Sequence, residues 1–307
     1  MRLVFMGTSD FAVPALELLH RFHEVVCVVT AVSKPAGRGL QITASPVKKK
    51  ATQLNIPVLQ PEKLRSEEFI NQLIDFHADL FVVVAFRMLP ESVWKIPHRG
   101  TINLHASLLP DYRGAAPINW ALINGETQTG VTTFKIQQEI DTGNILLQRA
   151  VEIQPEWNLE DLYQKLQTIG SELLLETINN LEKNELTEIP QPVLPNLHSA
   201  PKITKENTQI NPDSEAIKVH NLIRGLSPAP CAWMWLPNQK QLKVFFSSLT
   251  NQPVEPTQIG SFRKHQGQFQ LACKDFWLNL ESVQSEGKKR MSGQEFARGF
   301  HVNPQIK

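Results

Sequence analysis

The chain has few cysteines, no long apolar run and no glycine-rich dinucleotide motif. Its three cysteines, Cys27, Cys231 and Cys273, are far apart and lack the spacing of a zinc site. We therefore expect reduced thiols in a cytoplasmic protein, with no disulfide framework and no metal. No apolar run is long enough to span a bilayer, and residues 1–6 are typical of a strand rather than of a signal peptide. No role at a membrane is expected.

The order of sequence patterns predicts two domains. A chain of 307 residues exceeds the usual size of one domain. Strands and helices alternate over the first 150 residues, which predicts an α/β fold with a Rossmann-like, doubly wound parallel sheet. Short alternating strands with Gly and Asn turns over residues 231–283 predict a small β-barrel. We expect a first domain over residues 1–189, a proline-rich linker over 190–205 and a second domain over 206–307.

Charge is unevenly distributed between the two predicted domains. Residues 1–189 contain 17 Lys and Arg against 22 Asp and Glu, whereas residues 190–307 contain 14 against 8. A basic loop is also predicted over residues 33–50, because no acidic residue lies between Glu24 and Glu62. Basic surfaces of this kind suit a polyanionic partner such as RNA, although they also occur as plain solvated surfaces.

The stretch TINLH, at residues 101–105, predicts a short strand with a polar face. Side chains alternate along a strand, so Asn103 and His105 lie on one face while Ile102 and Leu104 lie on the other. A turn-rich segment follows, and the carboxyl end of a strand is where open α/β sheets bind ligands. An amide beside an imidazole suits acyl transfer, since both can stabilise a developing oxyanion. The alternative is a turn-capping Asn and a buried structural His.

The longer motif HASLLPDYRGAAPI, at residues 105–118, resembles the signature of the formyltetrahydrofolate-dependent formyltransferases. The resemblance runs from VFMGTSDFAVP, at residues 4–14, to KRMSGQEFAR, at residues 289–298. It is closest to the members that act on methionyl-tRNA. It implies a catalytic trio of Asn103, His105 and Asp141, the last in a D-T-G segment. We expect residues 130–140 to form a further strand which, if parallel, brings Asp141 to the same edge as His105.

The resemblance also implies the substrates and their binding residues. It implies 10-formyltetrahydrofolate as co-substrate and methionyl initiator tRNA as acceptor and partner. The expected folate-binding residues lie in two loops: Phe86, Arg87, Met88 and Leu89, and Ser107, Leu108, Leu109 and Pro110. Residues 86–88 depart from the pattern of many tRNA-directed members and are closer to the glycinamide ribonucleotide branch. The second domain is expected to be OB-like, and the expected tRNA-binding residues are Lys34, Arg38, Lys202, Arg224, Arg263 and Lys289.

Two other functions remain open at this point. An enzyme with the same trio could formylate a small acceptor, either an amino-sugar nucleotide or glycinamide ribonucleotide. The basic loop and the basic second domain argue against this, because a small acceptor needs neither. A non-catalytic RNA-binding protein would have no use for the trio. A monomer is expected.

Overall fold

The structure is a computed structural model that describes residues 1–36 and 41–300. The elements of residues 1–123 are β1 (Arg2–Gly7), α1 (Val13–Phe22), β2 (Glu24–Val29), β3 (Lys34–Ala36), β4 (Gln41–Thr43), α2 (Pro46–Gln53), β5 (Val58–Leu59), α3 (Glu67–Asp75), β6 (Leu80–Val84), α4 (Glu91–Trp94), β7 (Thr101–His105), β8 (Arg113–Gly114) and α5 (Pro117–Ile123). The elements that follow are β9 (Gln128–Lys135), β10 (Ile145–Glu152), α6 (Leu159–Glu182), β11 (Ser199–Ala200), α7 (Ala216–Leu226), β12 (Ala232–Trp235), β13 (Gln241–Pro253), β14 (Phe262–His265), β15 (Gln268–Ala272), β16 (Phe276–Ser285), β17 (Met291–Ser292) and α8 (Gly293–Gly299).

The chain forms two compact units, the first of which is built on a seven-stranded sheet. This unit contains Met1–Gly114, Gln128–Glu152 and Tyr163–Ser199. The strand order is β10-β9-β7-β6-β1-β2-β5, and the strands from β7 to β5 run parallel. The central strands β1 and β6 are almost wholly buried, as expected for parallel strands covered on both faces. The predicted Rossmann-like α/β fold is confirmed.

The edge of this sheet differs from the prediction. We expected a parallel strand over residues 130–140, but β9 ends at Lys135 and pairs antiparallel with β7, so that His105 lies opposite Thr132. β10 then pairs antiparallel with β9. A parallel strand needs a crossover that packs on the sheet. The only helix between β7 and β9 is α5, which belongs to the second unit, so β9 is added antiparallel.

The long amphipathic helix α6 forms where the leucine spacing predicts it. Its buried side chains include Leu166, Leu173 and Ile178, which recur on one face. Asn158 caps its first turn, because its side-chain oxygen accepts the backbone N–H of Glu160 at 2.7 Å. No helix in the part of the chain that the structure describes combines the length and the apolar character needed to cross a membrane.

The second unit is built on an antiparallel sheet. It contains Ala115–Thr127, Ile153–Leu162 and the described residues from Ala200 onward. Its strand order is β12-β13-β16-β15-β14, with β17 paired to β16. The core includes Phe262 and Phe269, whose rings stack at 5.2 Å, and α7 packs beside it. This sheet agrees with the small OB-like domain that the resemblance implies. The boundaries at residues 189 and 206 stay a prediction.

Candidate active site

The candidate site lies where two neighbouring parallel strands end. β6 and β7 pair in register, and each is followed by a loop at its carboxyl end. The loop after β6 contains residues 86–89, and the loop after β7 contains residues 107–110. The topology therefore brings both predicted folate-binding loops to one edge of the sheet, the edge at which open α/β sheets bind ligands.

His105, the last residue of β7, has its two ring nitrogens directed at different groups. Its Nε2 lies 2.9 Å from the backbone carbonyl of Tyr112. A carbonyl can only accept, so Nε2 carries the proton of the neutral ring. Its Nδ1 faces Asp141 Oδ2 at 3.8 Å, and the two side chains are only 7% and 15% exposed. The ring is thus fixed by the backbone at one nitrogen, and the other nitrogen remains for proton exchange.

Asp141 reaches His105 from a loop and not from the end of a strand. Its backbone is left-handed, with φ of 54°, which Asp tolerates better than most residues. Its Oδ2 accepts the backbone N–H of Gly114 at 3.0 Å. The loop after the antiparallel strand β9 therefore folds back, and it places the carboxylate beside the imidazole that the sequence predicted as its neighbour.

Asn103 lies two residues before His105 on the same strand and is partly exposed. Its side-chain amide has no hydrogen-bonding partner within the described residues. An amide that is held on a strand and is not engaged by the protein can donate to a substrate oxygen.

The loop over residues 107–110 is held by two side chains that the sequence analysis missed. Thr132 Oγ1 donates to the Ser107 carbonyl at 2.6 Å and accepts the N–H of Leu109 at 3.1 Å. Gln148 Nε2 donates to the Leu109 carbonyl at 2.8 Å. The Leu109–Pro110 peptide bond is cis. Nothing in the sequence marks Thr132 or Gln148, because their role depends on the antiparallel pairing of β9 and β10.

The predicted folate-binding side chains are in different environments. Met88 is 73% exposed, whereas Leu89 and Leu109 are buried in apolar clusters of the core. Arg87 is exposed, and its guanidinium donates to the carbonyls of Pro61 and Glu62. Leu89 and Leu109 thus support the loops from the core, and Arg87 and Met88 are the two predicted residues of the first loop that are exposed.

The predicted tRNA-binding cations also fall into distinct groups. Lys202 and Lys289 are exposed. Arg263 stacks on the Trp277 ring at 3.9 Å, and Arg224 donates to the Asn221 side chain at 2.8 Å. Burial lowers the pKa of both guanidinium groups. The positions of Arg38 and of the Lys34 side chain lie outside the described residues.

Comparison with known proteins identifies the family. The model named "Formyl transferase" matches residues 1–178, and the model named "Formyl transferase, C-terminal domain" matches residues 202–301. The chain belongs to the formyl transferase family. The resemblance inferred from the sequence is therefore confirmed.

Relatives within the formyl transferase family cover the whole chain. A protein of Bacteroides fragilis named methionyl-tRNA formyltransferase is 46% identical in an alignment that covers 100% of this chain and 97% of that protein. A Porphyromonas gingivalis protein of the same name is 43% identical over 99% of this chain and 97% of its own length. Among solved structures, that of WlaRD, a sugar 3N-formyl transferase, in the presence of dTDP and 5-N-formyl-THF is similar with a TM-score of 0.68. It is 20% identical, covers 94% of this chain and 99% of its own, and shows the fold.

Proposed function

We propose that this protein transfers the formyl group of 10-formyltetrahydrofolate to the α-amino group of methionyl initiator tRNA. The observation that carries the proposal is the pairing of His105 with Asp141 on the strand that also carries Asn103, whose amide has no partner among the described residues, in a chain of the formyl transferase family. The name shared by full-length relatives at more than 40% identity supports methionyl-tRNA as the acceptor.

The geometry suggests how the three side chains act. The neutral amine attacks the formyl carbon, a C–N bond forms, and the carbonyl electron pair moves to oxygen. Asn103 then donates its amide hydrogen to that oxyanion. His105 can exchange a proton only through Nδ1, because its Nε2 already donates to the Tyr112 carbonyl. The Asp141 carboxylate faces Nδ1 and, directly or through water, takes part in moving the amine proton to N10 of the folate as the N10–C bond breaks.

The binding surfaces follow from the same proposal. The loops over residues 86–89 and 107–110 bind the folate. The acceptor end of the tRNA is contacted by Lys34 and Arg38, and the rest of the tRNA by cations of the second unit. The exposed Lys202 and Lys289 are better placed for phosphate contacts than Arg224 and Arg263, whose guanidinium groups already have partners. We further propose a cytoplasmic monomer that needs no metal.

The acceptor is tested by measuring formyl transfer from 10-formyltetrahydrofolate to three acceptors in parallel. These are methionyl initiator tRNA, glycinamide ribonucleotide and an amino-sugar nucleotide. We expect formylation of the tRNA alone. Replacing Arg38 with Ala should raise the KM for the tRNA, whereas Arg65→Ala, an exposed arginine outside the basic loop, should leave it unchanged.

The alternative results separate the other functions. Transfer only to a small acceptor would mean that the trio is catalytic and that the basic surfaces have another role. Binding of tRNA with no transfer to any acceptor would support the non-catalytic RNA-binding protein.

A further inference from the structure

We propose that Gln191 is a positioning residue for Asp141 and that Arg113 holds Gln191 in place. This inference rests on the proposed role of Asp141. Gln191 Nε2 donates to two carbonyl oxygens, those of Asp141 and Gly143, each at 2.8 Å. One side-chain amide therefore spans the turn that carries the carboxylate, and it holds both ends of that turn.

The orientation of the Gln191 amide is set by its partners. Its Oε1 accepts from Arg113 Nε at 3.1 Å and from Arg113 Nη2 at 2.5 Å. Because a guanidinium only donates and the two carbonyls only accept, the oxygen must face Arg113 and the nitrogen must face the turn. All four hydrogen bonds that the amide can form in this plane are used, which fixes its rotamer.

These contacts close a ring through the candidate site. Arg113 is followed by Gly114, whose backbone N–H donates to Asp141 Oδ2. The ring thus runs from the Asp141 carboxylate to Gly114, along the chain to Arg113, across to Gln191 and back to the Asp141 carbonyl. Gly114 thus holds the Asp141 carboxylate, and Arg113 holds the Asp141 backbone through Gln191.

The other hydrogen bonds of this turn engage the Thr142 side chain, which donates to the Glu139 carbonyl and accepts from Gln137, whereas Gln191 engages the backbone of Asp141 itself. Asp141 is in the left-handed region, and the residue before it, Ile140, is 61% exposed. The distance of 3.8 Å between Asp141 Oδ2 and His105 Nδ1 is too long for a hydrogen bond. No hydrogen bond within the pair therefore resists a small shift of the turn, which would separate the carboxylate from the imidazole.

Backbone hydrogen bonds just before Gln191 place it at this position. Ile189, two residues earlier, exchanges two backbone hydrogen bonds with Ile145, of 2.8 and 2.9 Å. Ile145 begins β10 and lies two residues after Gly143. The prolines predict a linker over residues 190–205, and Gln191, near the start of that segment, lies two residues after this pairing.

The test is the nearly isosteric substitution Gln191→Glu. A carboxylate keeps an oxygen for Arg113 but presents a second oxygen, in place of the NH₂ group, to two carbonyls. We expect kcat to fall about tenfold or more, because small misplacements of a reacting group are costly. The KM values for both substrates should stay within about twofold, and Tm within about 2 °C, since the contact with Arg113 remains. Gln164→Glu, which adds the same charge on the exposed face of α6, is the control.

The outcomes distinguish positioning from a merely structural role. A wild-type kcat in Gln191→Glu would overturn the proposal, and so would a loss of kcat fully accounted for by a fall in Tm. A similar loss in Gln164→Glu would indicate a charge effect and would also overturn it. The assay uses whichever acceptor the wild-type protein formylates, so a failure of the tRNA assignment is seen in the wild type and does not obscure this result.

Discussion

The two ring nitrogens of His105 have different tasks, and this makes the role of Asp141 testable at the scale of one atom. The Tyr112 carbonyl holds Nε2, and the Asp141 carboxylate faces Nδ1. Replacing Asp141 with Asn keeps an oxygen for the Gly114 N–H and removes the charge. We expect kcat to fall by about 10²- to 10⁴-fold, the usual contribution of acid–base catalysis, with Tm nearly unchanged. Single-turnover formylation measures this directly, and a kcat near the wild-type value would remove Asp141 from the mechanism.

At the same scale, some residues of the candidate site could be predicted from the sequence and others could not. Asn103 and His105 could be predicted because their two-residue spacing on a strand places them on one face. Gln191 could not be predicted, because it lies in a proline-rich segment and its partners are backbone carbonyls far away along the chain. Thr132 could not be predicted either, since nothing in the strand pattern distinguishes it from the neighbouring threonines.

Among the secondary-structure elements, the helix pair α5 and α7 of the second unit depends on one glycine. A Cβ on Gly225 would lie 2.7 Å from Ile123 Cγ1 and 3.1 Å from the Asn119 carbonyl. Gly225→Ala must therefore move the two helices apart, and we expect a loss of about 1–3 kcal/mol, the usual cost of overpacking. Calorimetry should show Tm lower by several degrees. Gly299→Ala, at a helical glycine with nothing within 4 Å, should leave Tm unchanged or slightly higher. Equal Tm values for the two variants would contradict this explanation.

The elements also show where sequence patterns fail. Apolar runs predicted β1, β6 and α6, because burial on two faces or along one stripe determines which residue types occur there. The direction of β9 could not be predicted in this way. The alternation of side chains is the same in parallel and antiparallel strands, and the direction depends on the connection through α5, which packs in the other unit. The approach of Asp141 to His105 was predicted from a wrong strand direction, and the loop after β9 produces it instead.

For the whole molecule, the uneven charge predicts how substrate binding responds to salt. The second half of the chain is basic, whereas the first half is mildly acidic. If the basic half binds tRNA phosphates, ions are released on binding, and affinity falls steeply with salt. We expect the KM for methionyl-tRNA to rise about tenfold or more between about 50 and 200 mM salt. The KM for 10-formyltetrahydrofolate should change little, because the folate loops contribute few charges beyond the engaged Arg87.

Substituting two exposed lysines, one in each half of the chain, tests whether the salt dependence of tRNA binding comes from the second half. Lys289 lies between β16 and β17, and Lys165 lies on α6 in the first unit; both side chains are exposed. Lys289→Ala should weaken tRNA binding and lower the slope of log affinity against log salt by about one, as the loss of one phosphate contact requires. Lys165→Ala should leave the slope unchanged. Equal slopes for both variants and the wild type would mean that Lys289 contacts no phosphate.

A flat salt dependence in the wild type would mean that the excess charge of residues 190–307 is an ordinary solvated surface. The acceptor would then have to be recognised by shape and by uncharged contacts.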